Sequence, residues 1–128
     1  MKNPIHHLTL TVNDAERSAT WYQALFGEAT EVRREGTGWK RIRMAWPNDL
    51  IIGVVQFDEA PQQQKFSHLN VGLDHIGLAC DSEAEIHEWI KRLDELGFEH
   101  GPFEDAVYGW VVTARDPDNI PIEFFYAK

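Results

Sequence analysis

Two histidines and one glutamate in this chain have the types and the spacing of metal ligands. His75 lies in the stretch L-D-H-I-G-L-A-C-D at residues 73–81, and His7 begins the stretch H-L-T-L-T-V at residues 7–12. Both stretches alternate apolar residues with small or polar ones, which is the pattern of a half-buried strand. Glu123 interrupts the apolar sequence I-P-I-E-F-F-Y, where a carboxylate is costly unless it is paired, hydrogen-bonded or bound to a cation. Two imidazoles and one carboxylate on one side of a sheet could hold Fe(II), Mn(II), Zn(II) or Ni(II) and leave coordination positions open.

Each of these residues also has an ordinary structural explanation. A single histidine in a strand is usually a hydrogen-bonded polar residue, and a single strand glutamate usually faces water at a sheet edge. The metal hypothesis therefore depends on the equivalent positions of these residues in a chain that repeats itself.

The elements that must position these residues occur twice in the same order: a strand, a helix and three strands. His7 and His75 are 68 positions apart, and Gly27 and Gly97, which end the two predicted helices, are 70 positions apart. This offset predicts one domain over residues 1–128 that arose by internal duplication. Its parts are a first module at residues 4–58, a linker at 59–72 and a second module at 73–127.

Alternation and capping signals give the predicted elements. Asn13 or Asp14 can cap the first helix, and Ser82 with Glu85 has the spacing of a capping box for the second. The predicted strands cover residues 7–12, 29–34, 39–45, 50–57, 73–80, 98–100, 109–114 and 120–126.

The composition restricts the class of partner. A net charge of -9 argues against nucleic acids and anionic membranes, because binding phosphates needs clustered Lys and Arg. Small molecules and proteins remain. The single cysteine, Cys80, excludes an internal disulfide and falls on the apolar face of its strand, where a buried, inert thiol is expected. No apolar signal core or membrane-spanning run occurs, which predicts a cytoplasmic protein.

Three residues of the strand at 39–45 could contact an anionic ligand. If Ile42 faces the helix, alternation places Trp39, Arg41 and Arg43 on the same side as His7. Guanidinium groups at that side would suit a carboxylate or phosphonate. The alternative is an exposed basic edge whose side chains reach water.

Together these features resemble the vicinal oxygen chelate superfamily. The resemblance rests on the two strands that begin near His7 and His75, the helices that end at Gly27 and Gly97, and the sequence D-P-D-N-I-P-I-E-F-F near the C-terminus. That superfamily includes glyoxalase I, extradiol dioxygenases, fosfomycin-resistance metalloenzymes and bleomycin-resistance proteins. The resemblance implies an α+β fold of two tandem βαβββ modules that form a half-open eight-stranded barrel around one divalent metal ion, often in a homodimer.

Carried onto this sequence, the resemblance makes His7, His75 and Glu123 the metal ligands, and Glu123 also a catalytic residue. His6 is expected to face away from His7 by strand alternation. Gly53 corresponds to Glu123 in the first module, and glyoxalase I enzymes generally have a carboxylate there. Its absence counts against a standard glyoxalase I reaction, and Gln56 is expected on the other face of the strand.

The resemblance leaves several functions open. One is an enzyme that chelates a small substrate through neighbouring oxygens, as a lyase, an isomerase or a ring-cleaving dioxygenase with Tyr108 or His100 as the acid/base group. Phe125 would contact the substrate. Others are a fosfomycin-resistance-like thiol transferase with Arg41 and Arg43 around a phosphonate, a metal-free ligand-binding protein of the bleomycin-resistance kind, and a metal site that only senses or stabilises. His68 and His87 are expected to be solvated.

Overall fold

The computed structural model describes residues 1–128 as two compact units, Met1–Gln64 and Lys65–Lys128. Each unit consists of one helix and one four-stranded sheet, and the elements follow the order βαβββ in both. The predicted α+β class and the two tandem modules are therefore confirmed. Neither helix is both long and apolar enough to cross a membrane.

In the first unit the sheet has the strand order β1-β4-β3-β2. Strand β1 pairs with β4 in parallel, and the other two pairings are antiparallel. Helix α1 packs on β3 and β4, where Tyr22, Leu25, Ile42 and Met44 are fully buried. The elements are β1 Leu8–Thr11, α1 Ala15–Phe26, β2 Thr30–Gly36, β3 Trp39–Ala45 and β4 Ile51–Phe57.

The second unit repeats this arrangement with the order β5-β8-β7-β6. Strand β5 pairs with β8 in parallel, and helix α2 packs on β7 and β8. Trp89 of α2 stacks on Phe124 of β8, with ring centroids 4.3 Å apart. The elements are β5 Ile76–Ala79, α2 Glu83–Leu96, β6 Glu104–Ala106, β7 Gly109–Arg115 and β8 Pro121–Ala127.

The duplication extends to strand register. Thr9 of β1 is paired with Gly53 of β4, and Gly77 of β5 is paired with Glu123 of β8. Since His7 and His75 both lie directly before the first strand of their unit, Gly53 and Glu123 are equivalent positions. The correspondence inferred from sequence offsets is confirmed.

The predicted helix ends are also confirmed. Asp14 caps α1 and accepts a hydrogen bond from Arg17 N at 3.0 Å, and Ser82 caps α2 through Glu85 N at 3.1 Å. These contacts satisfy amides that a helix leaves unpaired in its first turn. Gly97 ends α2 with a φ of 68°, which is the left-handed conformation that favours glycine.

One predicted strand is wrong. Residues 98–100 form no regular strand. Phe98 N donates a hydrogen bond to Leu93 O at 2.9 Å and so belongs to the end of helix α2, whereas Glu99 O and Gly101 N make backbone hydrogen bonds with β7. His100 makes only a single bridge to Ala114, and the fourth strand of this sheet is β6. Strand β5 is also shorter than predicted, since residues 73–75 precede it.

Candidate metal centre

The face of the second sheet opposite helix α2 carries Glu123. Its neighbours in the sheet are Gly77 on β5 and Thr113 on β7, so the carboxylate lies on the central part of the sheet and not at an edge. A Cβ atom added at Gly77 would meet nothing within 4 Å, so space is open beside Glu123. The Glu123 side chain is 26% exposed. The small residue opposite the carboxylate leaves room for a ligand.

His75 and Glu123 converge on this face. His75 Nε2 lies 3.4 Å from Glu123 Oε2, and the imidazole is 45% exposed. The other ring nitrogen, Nδ1, lies 2.8 Å from Asp74 Oδ1. The histidine therefore stands between two carboxylates, one at each ring nitrogen.

The charges around His75 agree with this geometry. The hydrogen bond to Asp74 raises the pKa of His75, and the negative charges of Glu123 and Asp74 act in the same direction against partial burial. The same hydrogen bond lowers the pKa of Asp74. When His75 is neutral and donates to Asp74, its Nε2 lone pair faces a carboxylate oxygen. Two electron-rich atoms at this distance need a proton or a cation between them, and one imidazole nitrogen with one carboxylate fits a divalent transition metal.

Two cavities flank the His75–Glu123 pair, and both residues line each of them. The first has a volume of about 360 Å³ and polar walls that include His68, Thr113 and Arg115. The second has a volume of about 500 Å³. Its remaining lining residues are Gly77, Leu78, Ala79, Tyr108 and Phe125.

Tyr108 and Phe125 form an aromatic wall of the second cavity. Tyr108 lies in the turn between β6 and β7, and its ring stacks on Phe125 with centroids 6.0 Å apart and planes inclined by 25°. The tyrosine is 68% exposed, so its hydroxyl can reach solvent or a ligand. The structure thus brings Tyr108, Phe125, His75 and Glu123 to one cavity of the second unit.

His100, the other acid/base candidate, is held elsewhere. Its Nε2 lies 2.8 Å from Asp94 Oδ1 on helix α2, and its Nδ1 lies 2.6 Å from Gly101 O. The contact with Asp94 raises the pKa of His100. Because both ring nitrogens already have partners and His100 lines neither cavity at Glu123, a catalytic role for His100 is not favoured.

In the first unit, the prediction that His6 faces away from His7 is wrong. The two Nδ1 atoms are 2.9 Å apart, and the rings meet edge to face with centroids at 5.1 Å. The alternation of side chains between the two faces of a strand does not extend to these residues, because β1 begins at Leu8 and both histidines precede it. Both imidazoles are exposed.

The basic residues of β3 lie on the sheet face away from helix α1. Arg43 pairs in register with Gly53, and Arg41 lies 5.7 Å from the centre of the Trp39 ring. Arg43 is partly buried and Arg41 is exposed. The position of Arg41 and Arg43 on this face is compatible with both hypotheses from the sequence: contact with an anionic ligand, and an exposed basic edge.

Gly53 has little room for a side chain. A Cβ atom there would lie 3.2 Å from Thr9 Oγ1. Gln56, as expected, is engaged on the helix side, where its Oε1 accepts a hydrogen bond from Ala15 N at 3.0 Å. The first unit therefore offers no carboxylate at the position equivalent to Glu123.

Neither unit by itself contains three His, Cys, Asp or Glu side chains grouped to hold a metal ion. The second unit supplies His75 and Glu123, and His7 belongs to the first unit. Four residues around Glu123 were not identified from the sequence, and only Asp74 carried a local signal, as the immediate neighbour of His75. The four are His68, Asp74, Thr113 and Arg115.

The comparisons with known proteins agree with the fold. The family model of the Glyoxalase/Bleomycin resistance protein/Dioxygenase superfamily matches residues 4–124. The chain belongs to this superfamily, as the sequence resemblance indicated.

Among solved structures, a glyoxylase/bleomycin resistance protein/dioxygenase domain from Frankia sp. EAN1pec is similar, with a TM-score of 0.89, 26% identity and 100% coverage of both chains. A mutant of the fosfomycin resistance protein FosX from Listeria monocytogenes, complexed with Mn(II) and 1S,2S-dihydroxypropylphosphonic acid, gives a TM-score of 0.71. It is 23% identical and covers 100% of this chain and 93% of its own, which supports the fold.

Two uncharacterized proteins of Bacillus subtilis (strain 168) are also similar in sequence. YqjT is 24% identical over 128 residues, covering 93% of this chain and 95% of YqjT. YwkD is 26% identical over 125 residues, covering 94% of each.

Proposed function

We propose that this protein is a divalent-metal-dependent enzyme that acts on a small substrate bound through neighbouring oxygens. The ligands are His7, His75 and Glu123, and the ion is Fe, Mn, Zn or Ni. The observation that carries the proposal is the 3.4 Å approach of His75 Nε2 to Glu123 Oε2, with Asp74 on the opposite ring nitrogen. Superfamily membership supports it as well.

When bound, such an ion supplies Lewis-acid polarisation of a substrate carbonyl or hydroxyl. The residues of the chain perform the other tasks. Phe125 and Leu78 form an apolar wall that orients the carbon skeleton of the substrate in the 500 Å³ cavity. Tyr108, whose ring stacks on Phe125, offers a hydroxyl that can donate or accept a proton at the cavity edge.

Arg41, Arg43 and Trp39 are the proposed contacts of the first unit with the anionic part of a substrate. Their position on the face away from α1 and the partial burial of Arg43 support this role. A fosfomycin-resistance-like thiol transferase is the second candidate function, because these guanidinium groups suit a phosphonate.

The absence of a carboxylate at Gly53 favours reactions that need three protein ligands. A glyoxalase I reaction with a ligand there that also transfers a proton is disfavoured, since Thr9 occupies the adjacent space. Ring cleavage of the extradiol type and thiol transfer to an epoxide remain the two reaction classes to test first.

The test is turnover by metal-loaded protein against 2-oxoaldehyde hemithioacetals, catechols with oxygen, and epoxides with thiols. We expect one class to be converted, and we expect His75→Ala and Glu123→Gln to lose both turnover and stoichiometric metal. His87→Ala, which changes an exposed histidine on α2, is the matched control and should behave as wild type. Metal binding without turnover would indicate a sensing or stabilising metal. Binding of a small ligand without any metal would instead indicate the bleomycin-resistance type of protein.

We also propose a homodimer, and mixing two inactive variants tests how its site is assembled. His7→Ala and Glu123→Ala each remove one ligand from every chain. If the ligands come from two protomers, a mixed dimer of the two variants regains one intact site. An equal mixture that reassorts at random would then bind about one metal ion per four chains. If all ligands come from one chain, the mixture binds none.

A further inference from the structure

We infer that Asp74, the residue directly before the proposed ligand His75, is a positioning residue that fixes which ring nitrogen of His75 is free. His6 lies at the same ring nitrogen of His7 in the first unit. The inference rests on the proposed function because metal binding is the use that it gives to the free ring nitrogen. The tautomers themselves can be measured without metal.

The geometry at His75 assigns the tautomer. Asp74 Oδ1 lies 2.8 Å from His75 Nδ1. An ionised carboxylate can only accept, so Nδ1 must carry the hydrogen. A neutral His75 then has its lone pair on Nε2, the atom 3.4 Å from Glu123 Oε2. Asp74 thereby directs the metal-binding nitrogen toward the carboxylate ligand and not toward solvent.

The first unit repeats this contact with different chemistry. His6 Nδ1 lies 2.9 Å from His7 Nδ1, so the preceding residue again contacts Nδ1 of the proposed ligand. Either ring of this pair can donate, but only donation by His7 leaves the Nε2 lone pair of His7 free. Since the two units place different side chain types at the same atom, the shared feature is the orientation of the ligand and not a particular residue.

Without a hydrogen-bond acceptor at Nδ1, nothing holds the hydrogen of a neutral imidazole on that nitrogen. Hydrogen bonds to the second ring nitrogen generally fix the tautomer and the ring orientation of metal-binding histidines, and losing one weakens metal binding by about 10- to 100-fold. Asp74 is 67% exposed, which places the expected effect at the lower end, about tenfold.

The test is long-range proton–nitrogen NMR of ¹⁵N-labelled, metal-free protein at about pH 9, well above the ordinary imidazole pKa. We expect the Nδ1–H tautomer for His75 in wild type and in Asp74→Asn, which keeps the Oδ1 acceptor. Asp74→Ala should convert His75 mainly to Nε2–H. Asp94→Ala is the matched control, because it removes a carboxylate from His100 and should change only His100 signals.

A titration with Mn²⁺ gives the second readout. Asp74→Ala should bind about tenfold more weakly than wild type, Asp74→Asn should stay within about threefold, and Asp94→Ala should match wild type. His6→Ala removes the corresponding contact at His7 Nδ1, and we expect it to weaken Mn²⁺ binding as well.

The two proposals fail in distinguishable ways. If wild-type His75 is the Nε2–H tautomer, or if Asp74→Ala leaves its tautomer unchanged, the positioning role is wrong even when metal binds. If no variant, wild type included, binds Mn²⁺ or another divalent ion while the tautomers behave as expected, the metal function is wrong and the orientation by Asp74 stands.

Discussion

The turn that leads into the strand of Glu123 depends on one buried carboxylate. Asp116 is 5% exposed, and its Oδ1 accepts hydrogen bonds from Asp118 N and Ile120 N, both at 2.8 Å. Backbone bonds between Asp116 and Ile120 close the same turn. We predict that Asp116→Ala strongly destabilises the protein, because two buried amides lose their acceptor.

The magnitude follows from those two bonds. A buried donor left without a partner costs about 1–3 kcal/mol, and bonds to a charged acceptor lie in the upper part of that range. At about 2 kcal/mol each, two such losses give about 4 kcal/mol, a large part of the about 5–15 kcal/mol by which natural domains are stable. With a urea m-value of about 2 kcal/mol/M, the unfolding midpoint should fall by about 2 M.

Urea unfolding followed by tryptophan fluorescence measures this shift, and two variants serve as controls. Asp116→Asn keeps the Oδ1 acceptor and loses only its charge, so about half of the effect is expected. Asn48 lies in the equivalent turn of the first unit, where its exposed Oδ1 accepts from Leu50 N at 3.3 Å. Asn48→Ala should cost less than about 0.5 kcal/mol. An Asp116→Ala midpoint within roughly 0.5 M of wild type, on the scale of a surface substitution, would refute the reasoning.

Three further predictions concern other groups. Asp94 raises the pKa of His100 in the folded state, so this pair stabilises the protein fully below about pH 6.5. The stabilisation disappears as pH rises through the raised pKa. Since Asp94 is 67% exposed, unfolding curves from pH 5 to 9 should show a stability change below about 1 kcal/mol that Asp94→Asn abolishes. Burial raises the pKa of Cys80 to about 11. Ellman's reagent should therefore label Cys80 at least about a hundredfold more slowly in folded than in urea-unfolded protein. Equal labelling rates would contradict the buried placement of Cys80. Gly53→Glu should destabilise the protein by about 1–2 kcal/mol through the contact with Thr9 Oγ1. Thr9→Ala removes that atom, so the double variant should lose less stability than the sum of the two single variants. A double variant whose loss equals that sum would rule out this contact as the cause.

Much of the architecture could be predicted from periodicity because the chain contains each signal twice. The offset of about 70 residues made Glu123 equivalent to Gly53, and the strand registers confirm that equivalence. The helix ends were predictable from Asp14, Ser82 and the two glycines, because capping depends on local sequence.

The errors arise where pairing or a neighbouring element decides the structure. Strand β6 has the sequence E-D-A, whose residues have low strand propensity, and it exists because β7 offers its edge. Of residues 98–100, Phe98 ends helix α2, and His100 forms only a single bridge to Ala114 of β7. Long-range pairing of this kind has no signal within a short window.

The candidate site also has residues that the sequence identified and residues that it missed. The sequence identified His75, Glu123, Tyr108 and Phe125, which the structure gathers around one cavity. It did not identify Asp74, because strict alternation would place neighbouring residues on opposite faces of a strand. The strand in fact begins only at Ile76, which frees Asp74 to turn back onto the His75 ring.

Elemental mass spectrometry of purified protein, with no metal added after lysis, tests the central proposal most directly. Wild type should contain about one divalent ion per chain. Glu123→Ala and His75→Ala should contain almost none, while His87→Ala should match wild type. A wild-type protein without metal, and without uptake after reconstitution, would contradict the proposed metal-dependent function, as would full occupancy in both ligand variants.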